Sequence, residues 1–397
     1  MATAAGKRLP RLGAVLREEE RVMPLELFFD LVFVLAITQC TALMSHDPTW
    51  EGLAQGMLVL GVLWWSWVGY AWLTSVVDPE EGAVRFAIFS AMAAFLIVAI
   101  CVPEAFDHLA LAFALAYGVV RAAHIALFLL ASRDDAGLRQ SVIGLAGSTA
   151  IGVALLVGAS FLDGLAQGAL WAVALSLDMA GPYFFGSEGW RLMPSHFAER
   201  HGLIIIIALG ESIVAIGLGA NAQLNLGIAA AAVLGIALAA AMWWIYFDVV
   251  ALVSARRLMR AQRGRELNEL ARDSYSYLHF PMVAGVVLVA LGLKTTLGNV
   301  EDPLETVPAF ALLGGIAAYL LGLVGFRFRQ VHTINRHRLV LALALVALLP
   351  AADGVPALAV VAVVTVVLWA MIAYETISYG PARARVRHEL AHEPPSA

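Results

Sequence analysis

The sequence predicts an all-α membrane protein in which about twelve transmembrane helices form two parallel repeats of six, with both termini in the cytoplasm. Three observations lead to this prediction. The chain is 61% hydrophobic and only 14% charged, with a mean hydropathy of +0.82, whereas about a quarter of the residues in soluble domains are charged. Apolar segments recur along the whole chain, and the basic residues are sorted between alternate loops.

Each predicted span is close to the ~20 residues that cross a hydrocarbon core about 30 Å thick. The sixth and the eleventh are short or interrupted, and most connections between the spans are short. The predicted spans cover residues 25–45, 53–74, 84–102, 109–131, 141–161, 165–181, 198–219, 227–253, 277–296, 306–326, 338–350 and 356–378.

These spans divide the chain into four regions. A basic cytoplasmic tail covers residues 1–23, and the two six-helix halves cover residues 24–181 and 182–380. Residues 381–397 are polar and contain prolines, so we expect a disordered cytoplasmic tail. The first residues are polar and basic, which is not typical of a cleavable signal peptide. Cys40 and Cys101 both lie in apolar segments, so the sequence predicts no disulfide framework, no metal centre and no cofactor.

Basic residues indicate which ends of the spans face the cytoplasm. All but two of the 25 lysines and arginines lie on one side, and the exceptions are Arg121 in the fourth span and Lys294 near the outer end of the ninth. The opposite loops carry acids such as Asp47, Glu104 and Asp302. Because Lys and Arg accumulate in cytoplasmic loops, we expect both termini inside the cell and the protein in the cytoplasmic (inner) membrane. The same rule accounts for the basic clusters, so no nucleic-acid partner is expected.

Short sequence similarities between the halves predict the repeat. Trp64-Trp65-Ser66-Trp67 in the second span is similar to Trp243-Trp244-Ile245-Tyr246 in the eighth. The first and seventh spans both open with a proline, Pro24 and Pro194, followed by a glutamate. Each half has an even number of spans, so both would enter the membrane from the cytoplasm. Such parallel halves, related by an axis along the membrane normal, are a known transporter architecture.

The stretch from Pro194 to Ile213 combines ionisable residues with one of the most apolar runs in the chain. On a helix, His196, Arg200 and Glu211 fall near one stripe, and Glu199 and His201 flank it. Ionisable groups within a span are costly, so they usually face a bundle interior or a wet cavity. The alternative is a helix-capping cluster followed by one structural carboxylate. The glycines of the same span are interpreted as sites of close helix contact; they are Gly210, Gly217 and Gly219.

Most other ionisable residues within the spans lie in the predicted cytoplasmic half. Glu26 and Asp30 are one turn apart in the first span, and Arg121 and His124 lie in the fourth. With Glu211 deeper in the membrane, these residues predict a polar vestibule that opens to the cytoplasm. Arg121 lies too deep to reach water, so we expect it to pair with a carboxylate, and the candidates are Asp30, Glu199 and Glu211. Acids near helix ends are expected to reach water by themselves; they are Asp178, Asp248 and Glu375.

Two motifs resemble a known family. The first is Glu26-Leu27-Phe28-Phe29-Asp30-Leu31-Val32-Phe33-Val34, which continues to Gln39. The second is His196-Phe197-Ala198-Glu199-Arg200-His201-Gly202, which continues through Leu209-Gly210-Glu211-Ser212. Together they are similar to the two motifs of the bacterial low-temperature-requirement A family, and the likeness covers about residues 21–380. The resemblance implies a polytopic membrane protein linked by name to growth in the cold, and it assigns no catalytic or binding residue.

Three functions remain open from the sequence. The first is a transporter or channel for a small solute or ion, with Asp30, Arg121, Glu199 and Glu211 along the route and protons as one candidate cargo. The second is a structural or sensory bundle that supports growth in the cold, in which the polar groups only hold helices together and membrane lipids are the partners. The third is a membrane-embedded enzyme that uses the histidines as metal ligands or bases, although H-x-x-E-R-H lacks the usual H-E-x-x-H spacing; they are His124, His196 and His201.

Overall fold

The computed structural model describes residues 21–80, 82–184, 189–220 and 225–392, with the backbone alone for residues 83 and 382–392. All regular structure in these ranges is helical, which confirms the predicted all-α class. The helices are α1 Pro24–His46, α2 Trp50–Thr74, α3 Gly82–Cys101, α4 Ala110–Ala131, α5 Ala136–Ala159, α6 Gly164–Phe184, α7 Pro194–Gly219, α8 Leu226–Phe247, α9 Val250–Met259, α10 Arg265–Leu270, α11 His279–Gly298, α12 Thr306–Val331, α13 Arg336–Ala347 and α14 Ala357–His392.

Ten helical stretches in the described residues are long and apolar enough to cross a membrane. The predicted sixth and eleventh spans, which correspond to α6 and α13, are not among them. With 21 residues, α6 is nevertheless about 32 Å long at 1.5 Å per residue. It runs antiparallel to α5, because Gly158 lies against Leu170 while Gly181 lies against Ser148.

The eleventh predicted span, residues 338–350, is not one regular helix. Helix α13 ends at Ala347, close to Pro350, since the residue before a proline disfavours helical geometry. A 3₁₀ turn, Leu349–Ala352, follows. The chain then reaches the loop before α12, where the Ala357 amide donates to the Asp302 carbonyl at 2.9 Å. The segment therefore still passes from one end of the bundle to the other.

The segment between the eighth and ninth predicted spans is also helical, and its second part, from Leu267 on, is mostly buried. After α9 and α10, a π-helical segment, Ala271–Tyr277, leads directly into α11. Leu267 and Asn268 are almost fully covered by the rest of the protein. At the carboxyl terminus, α14 continues to His392 instead of ending at residue 380, because the segment after Pro381 is rich in alanine and arginine, which favour helices. Residues 1–20 and 393–397 of the predicted tails lie outside the described residues.

Two groups of helices pack in the same order. Helix α1 packs on α2 and α3, α3 on α4, α4 on α5, and α2 on α6; likewise α7 packs on α8 and α11, α11 on α12, α12 on α13, and α8 on α14. Helix α5 also packs closely on α6, which has no counterpart of similar extent between α13 and α14. The groups meet where α1 packs along α7 and α11, and where α2 contacts α7 and α11. Helices α2, α11 and α12 are the most completely buried, so they form the centre of the bundle.

Glycines allow the closest helix contact, between α11 and α12. A β-carbon on Gly315 would lie 2.7 Å from the carbonyl oxygen of Gly285, too close for any other residue without a shift of the helices. In the seventh span, Gly219 makes such a contact, because a β-carbon there would lie 2.8 Å from the Lys294 carbonyl oxygen. Gly210 and Gly217 face open space, so the expected contacts at these two positions are wrong.

Candidate functional site

Four charged residues meet at the contact between α1 and α7, and we call them the α1–α7 charge cluster: Glu26, Asp30, His196 and Arg200. The His196 Nε2 and the Glu26 Oε1 are 2.9 Å apart. Arg200 donates from Nη1 to the same Glu26 oxygen at 3.1 Å and from Nη2 to Asp30 Oδ1 at 2.7 Å. All four side chains are at most 2% exposed. The structure therefore brings the acids of the first motif against the bases of the second.

The local sequence explains why these side chains meet. Proline occupies the first turn of both helices, as Pro24 in α1 and Pro194 in α7, where its fixed φ favours helix initiation. Glu26 and His196 are both two residues beyond their proline, and Asp30 and Arg200 are one turn further on. In both pairs the partners are 170 residues apart in the sequence. Equivalent positions of α1 and α7 therefore contact each other.

Helix α2 completes the cluster. The Trp67 indole donates to Asp30 Oδ1 at 2.8 Å, and Arg200 Nη1 donates to the Thr74 hydroxyl at 2.8 Å. Asp30 Oδ2 and Arg200 Nε are buried without a hydrogen-bond partner among the described residues. Trp67 and Thr74 are site residues that the sequence did not reveal, because nothing in an apolar, tryptophan-rich span marks which side chains face a charge.

The remaining ionisable residues at the start of α7 lie outside this cluster. Glu199 is exposed, and its carboxylate accepts a hydrogen bond from the Val22 amide at 3.2 Å. His201 is buried among aromatic rings, 5.0 Å from Trp67 and 5.2 Å from His279 between ring centroids. Its Nδ1 faces the Phe197 carbonyl at 2.8 Å. Within the described residues, no group of three or more His, Cys, Asp or Glu is arranged to hold a metal ion.

Arg121 has a different partner from those predicted. Its Nη2 donates to Asp178 Oδ1 at 3.0 Å and to the Thr149 hydroxyl at 2.7 Å, and Tyr117 donates to Asp178 Oδ2. The prediction of Asp30, Glu199 or Glu211 as the partner is wrong. The prediction that Asp178 reaches water is wrong too, because α6 packs against α5 and the carboxylate is covered by Tyr117, Arg121 and Thr149, which leaves Asp178 4% exposed.

A similar buried pair lies in the second group of helices. Arg338 donates from Nε and Nη2 to the two oxygens of Glu375, at 3.0 and 2.9 Å. Asn335 donates to the same carboxylate at 2.9 Å. Glu375 is 3% exposed, so the prediction that it reaches water by itself is wrong, because α13 covers it. Asp248 is half-buried.

Glu211 lies towards the other end of the α1–α7 contact. It is 1% exposed, and the Thr38 hydroxyl donates to its Oε2 at 2.5 Å. Lys294 is a cation that acts on its charge, and the Lys294 Nζ donates to the Ser45 hydroxyl at 2.7 Å. Since Glu26 contacts His196 at one end and Thr38 contacts Glu211 towards the other, α1 and α7 run parallel.

The fourth-span residues line a separate cavity of about 70 Å³ between α2, α4, α5, α6 and the π-helical segment. His124 lies in its wall, with Nε2 3.0 Å from the Gly69 carbonyl. A much smaller cavity of about 10 Å³ adjoins Glu26, Thr74 and Arg200. Seven of the nine predicted site residues are thus divided among the α1–α7 charge cluster, the larger cavity and the region of Glu211, and Glu199 and His201 lie outside all three.

Comparisons with known proteins agree with the motif resemblance. A family model described as "Bacterial low temperature requirement A protein" matches residues 21–373. An uncharacterised protein of Rhizobium meliloti (strain 1021) is 30% identical over 308 residues, which cover 75% of each chain. No solved structure matches the chain.

Proposed function

Because the chain belongs to the bacterial low temperature requirement A family, we propose that it is a membrane transporter or channel that moves a small solute or ion across the cytoplasmic membrane. The observation that carries this proposal is the α1–α7 charge cluster. Charged side chains within a membrane protein are costly, and those that persist usually face a pathway or a wet interior. Here they lie at the contact between two groups of helices, where a transporter of two halves would move.

The contacts support a division into two parallel halves, residues 24–181 and 182–380. A two-fold axis along the membrane normal would place equivalent residues of the first and seventh spans against each other. Glu26 against His196 and Asp30 against Arg200 both have this property, at the same separation of 170 residues. The matching order of helix contacts in the two groups supports the same axis. If the two halves were identical, the axis would bring side chains of the same charge into contact. In this chain the two helices differ, with acids on α1 and bases on α7.

Contacts among the loops at each end of the bundle support a cytoplasmic location for both termini. The basic loops lie together, because Arg191 pairs with Asp135, Asn268 donates to the Trp190 carbonyl, and Arg329 pairs with Asp273. At the opposite end, the Ala357 amide donates to the Asp302 carbonyl, and Lys294 of α11 donates to Ser45 of α1. The lysines and arginines of the basic loops lie at one end of the bundle, and the positive-inside rule assigns that end to the cytoplasm.

The cluster supplies a mechanism for coupling the movement of the halves to a proton. The His196 Nε2 lies within hydrogen-bond distance of the Glu26 carboxylate. Each of these two side chains changes its charge when it binds or loses a proton. Loss of that proton changes the attraction across the α1–α7 contact, which is the surface on which one half would rock against the other. Asp30 Oδ2 and Arg200 Nε are buried and have no partner in the described part of the chain, so a water molecule or an ion that entered this contact would find both atoms unpaired.

A structural or sensory bundle is the second candidate. The observation that favours it is the small size of the cavity beside Glu26 and Arg200, about 10 Å³, which is room for roughly one water molecule. In that case the cluster would only hold the two groups of helices together. An enzyme is the least supported of the three, since His124, His196 and His201 have separate surroundings.

Flux through purified protein in liposomes tests the proposal. With an entrapped pH-sensitive dye and imposed ion and solute gradients, the wild-type protein is expected to change the internal pH. Asp30→Asn removes the charge that faces Arg200 and is expected to abolish this signal. The matched control is Glu199→Gln, which removes an exposed carboxylate from the same end of the α1–α7 contact and is expected to retain it. Folded wild-type protein without flux for any solute would favour the bundle.

A further inference from the structure

Glu211 differs from the other buried acids in the part of the chain that the structure describes. Each of the others is bound directly by an arginine; they are Glu26, Asp30, Asp178 and Glu375. Glu211 is 1% exposed, but its carboxylate is bound by the hydroxyl of Thr38 instead. An isolated carboxylate is costly to bury as an ion, and a bound proton removes that cost.

The Thr38 hydroxyl faces two groups that accept hydrogen bonds. Its Oγ1 lies 3.1 Å from the Val34 carbonyl oxygen and 2.5 Å from Glu211 Oε2. A threonine hydroxyl has one proton to donate, and a carbonyl or an ionised carboxylate can only accept. While Glu211 is ionised, one of these two bonds is therefore missing. Both form when Glu211 carries a proton, because the acid then donates to Thr38 and Thr38 donates to Val34.

Thr41 repeats this arrangement about one turn further along α1. Its Oγ1 lies 3.3 Å from the Ile37 carbonyl oxygen, and the same hydroxyl acts on the Glu211 carboxylate. Because Thr38 and Thr41 are three residues apart, they share one face of α1. This face therefore offers Glu211 hydroxyl groups that can donate to the ionised acid and accept from the protonated one.

Two titratable side chains on the neighbouring helices act on Glu211. Cys40 of α1 is a buried thiol. Lys294 of α11 acts on the charge of the carboxylate, but its Nζ donates to the Ser45 hydroxyl. Helix α8 carries no titratable residue over residues 226–242. The charge of Glu211 is therefore not neutralised by direct contact with a cation in the described part of the chain.

Glu211 also lies on the same helix contact as the α1–α7 charge cluster. It is eleven residues beyond Arg200, which is about 16 Å along the axis at 1.5 Å per residue. Glu211 and Thr41 are 170 residues apart, the same separation as in the two pairs of the charge cluster. A proton at Glu211 would therefore change the charge on the surface where the two proposed halves meet.

We propose that Glu211 is a reversible proton-binding site in the outer half of the membrane. When the proton is bound, Glu211 donates to Thr38 and Thr38 donates to the Val34 carbonyl. When the proton leaves, the Thr38 hydroxyl turns and donates to the carboxylate. The inference deepens the proposed function by naming the proton as the coupling ion, and it rests on that function only for the claim that the proton crosses the membrane.

Infrared spectroscopy of the purified full-length protein in detergent tests the proposal, because a protonated carboxylic acid and a carboxylate absorb at different frequencies. Exposed acids have lost their protons by about pH 6. At this pH the wild-type protein is expected to retain one protonated acid, which loses its proton reversibly as the pH is raised further. Glu211→Gln is expected to lack this signal. The matched control is Glu199→Gln, which removes an exposed acid from the same helix and is expected to keep it.

Thr38→Val supplies a second measurement that does not depend on the folding of Glu211→Gln. It is expected to raise the pH at which half of the signal is lost by about one unit, or about tenfold in proton affinity, because the ionised acid loses a stronger hydrogen bond than the neutral acid does. The matched control is Thr295→Val, which removes a hydroxyl that donates to the Leu291 carbonyl of its own helix at 3.0 Å. This variant is expected to leave the titration unchanged.

Folded wild-type protein without a protonated acid above about pH 6 would overturn the inference, and so would a signal that Glu211→Gln retains. A signal that never titrates while the protein stays folded would make Glu211 a structural acid. Loss of the signal on addition of Na⁺ at constant pH, but not of K⁺, would make the site a sodium site. Equal shifts in the two threonine variants would show that the Thr38 hydroxyl does not control the proton. A titrating Glu211 without any flux would remove the transport function and leave the site, whereas flux without a titrating Glu211 would do the opposite.

Discussion

Arg121 and Asp178 show how single residues hold charge inside the bundle. Both are buried, and they are joined by a 3.0 Å ion pair that Thr149 and Tyr117 reinforce. The pair need not stabilise the fold more than apolar residues of the same size would. Removal of one partner, however, leaves an uncompensated buried charge, which typically costs about 3–5 kcal/mol.

Asp178→Ala is therefore expected to lower the free energy of unfolding by about 3–5 kcal/mol. Thermal unfolding in detergent, followed by circular dichroism, measures the effect. Arg191→Ala is the control, because it breaks the ion pair with Asp135, in which the arginine side chain is 65% exposed, and such surface pairs contribute about 0–1 kcal/mol. Similar losses in the two variants would contradict the buried role of Asp178.

The sequence identified most of the charged residues within the spans but not how they pair. The depth of Arg121 within its span predicted that it pairs with a carboxylate. The choice among carboxylates depends on which helices are neighbours, and apolar sequences alone do not show this. Asp178 lies near the end of its helix, which suggests contact with water, but depth along a helix differs from depth within a bundle.

Among the helices, the contact between α11 and α12 depends most on residue size. Gly285 and Gly315 face each other so closely that a methyl group on either would collide with the carbonyl oxygen of the other. Close approach of this kind is how small residues hold transmembrane helices together, since it increases van der Waals contact.

Gly285→Ala is expected to lower the unfolding temperature, because the added methyl group must push α11 away from α12. Gly210→Ala is the matched control within α7, where the added methyl group meets no atom within 4 Å. There alanine is expected to be neutral or to stabilise the helix by up to about 1 kcal/mol, the usual difference in helix propensity. A comparable loss in both variants would mean that helix packing does not set the effect.

The helix lengths were predictable wherever an apolar run was uninterrupted, as in α7 and α12. The helix lengths were harder to predict where the chain departs from regular α-helical geometry. The π-helical segment before α11 has a sequence compatible with ordinary helix, whereas the 3₁₀ turn after α13 contains Pro350. Their geometry depends on packing against neighbouring helices. Pro350 was the one local signal that α13 would end early.

For the whole molecule, composition and charge sorting carry most of the information. They predict a membrane bundle and its orientation without any contact being known. The parallel repeat is supported in a different way, through the constant separation of 170 residues in two ion pairs. That separation could not be recognised as a contact from the sequence, because acids in one motif and bases in the other do not align as similar residues.

The orientation predicts which positions are accessible from outside the cell. In a background that lacks the two buried cysteines, Cys40 and Cys101, a single new cysteine is introduced at an exposed site beyond either end of α12. Glu301→Cys lies before the helix and Ile334→Cys after it. With a membrane-impermeant maleimide on spheroplasts, the cysteine at 301 is expected to react at once, and the cysteine at 334 only after the membrane is permeabilised. The reverse pattern would invert the orientation and move the α1–α7 charge cluster to the outer side, whereas reaction of both sites in intact spheroplasts would show that α12 does not span the membrane.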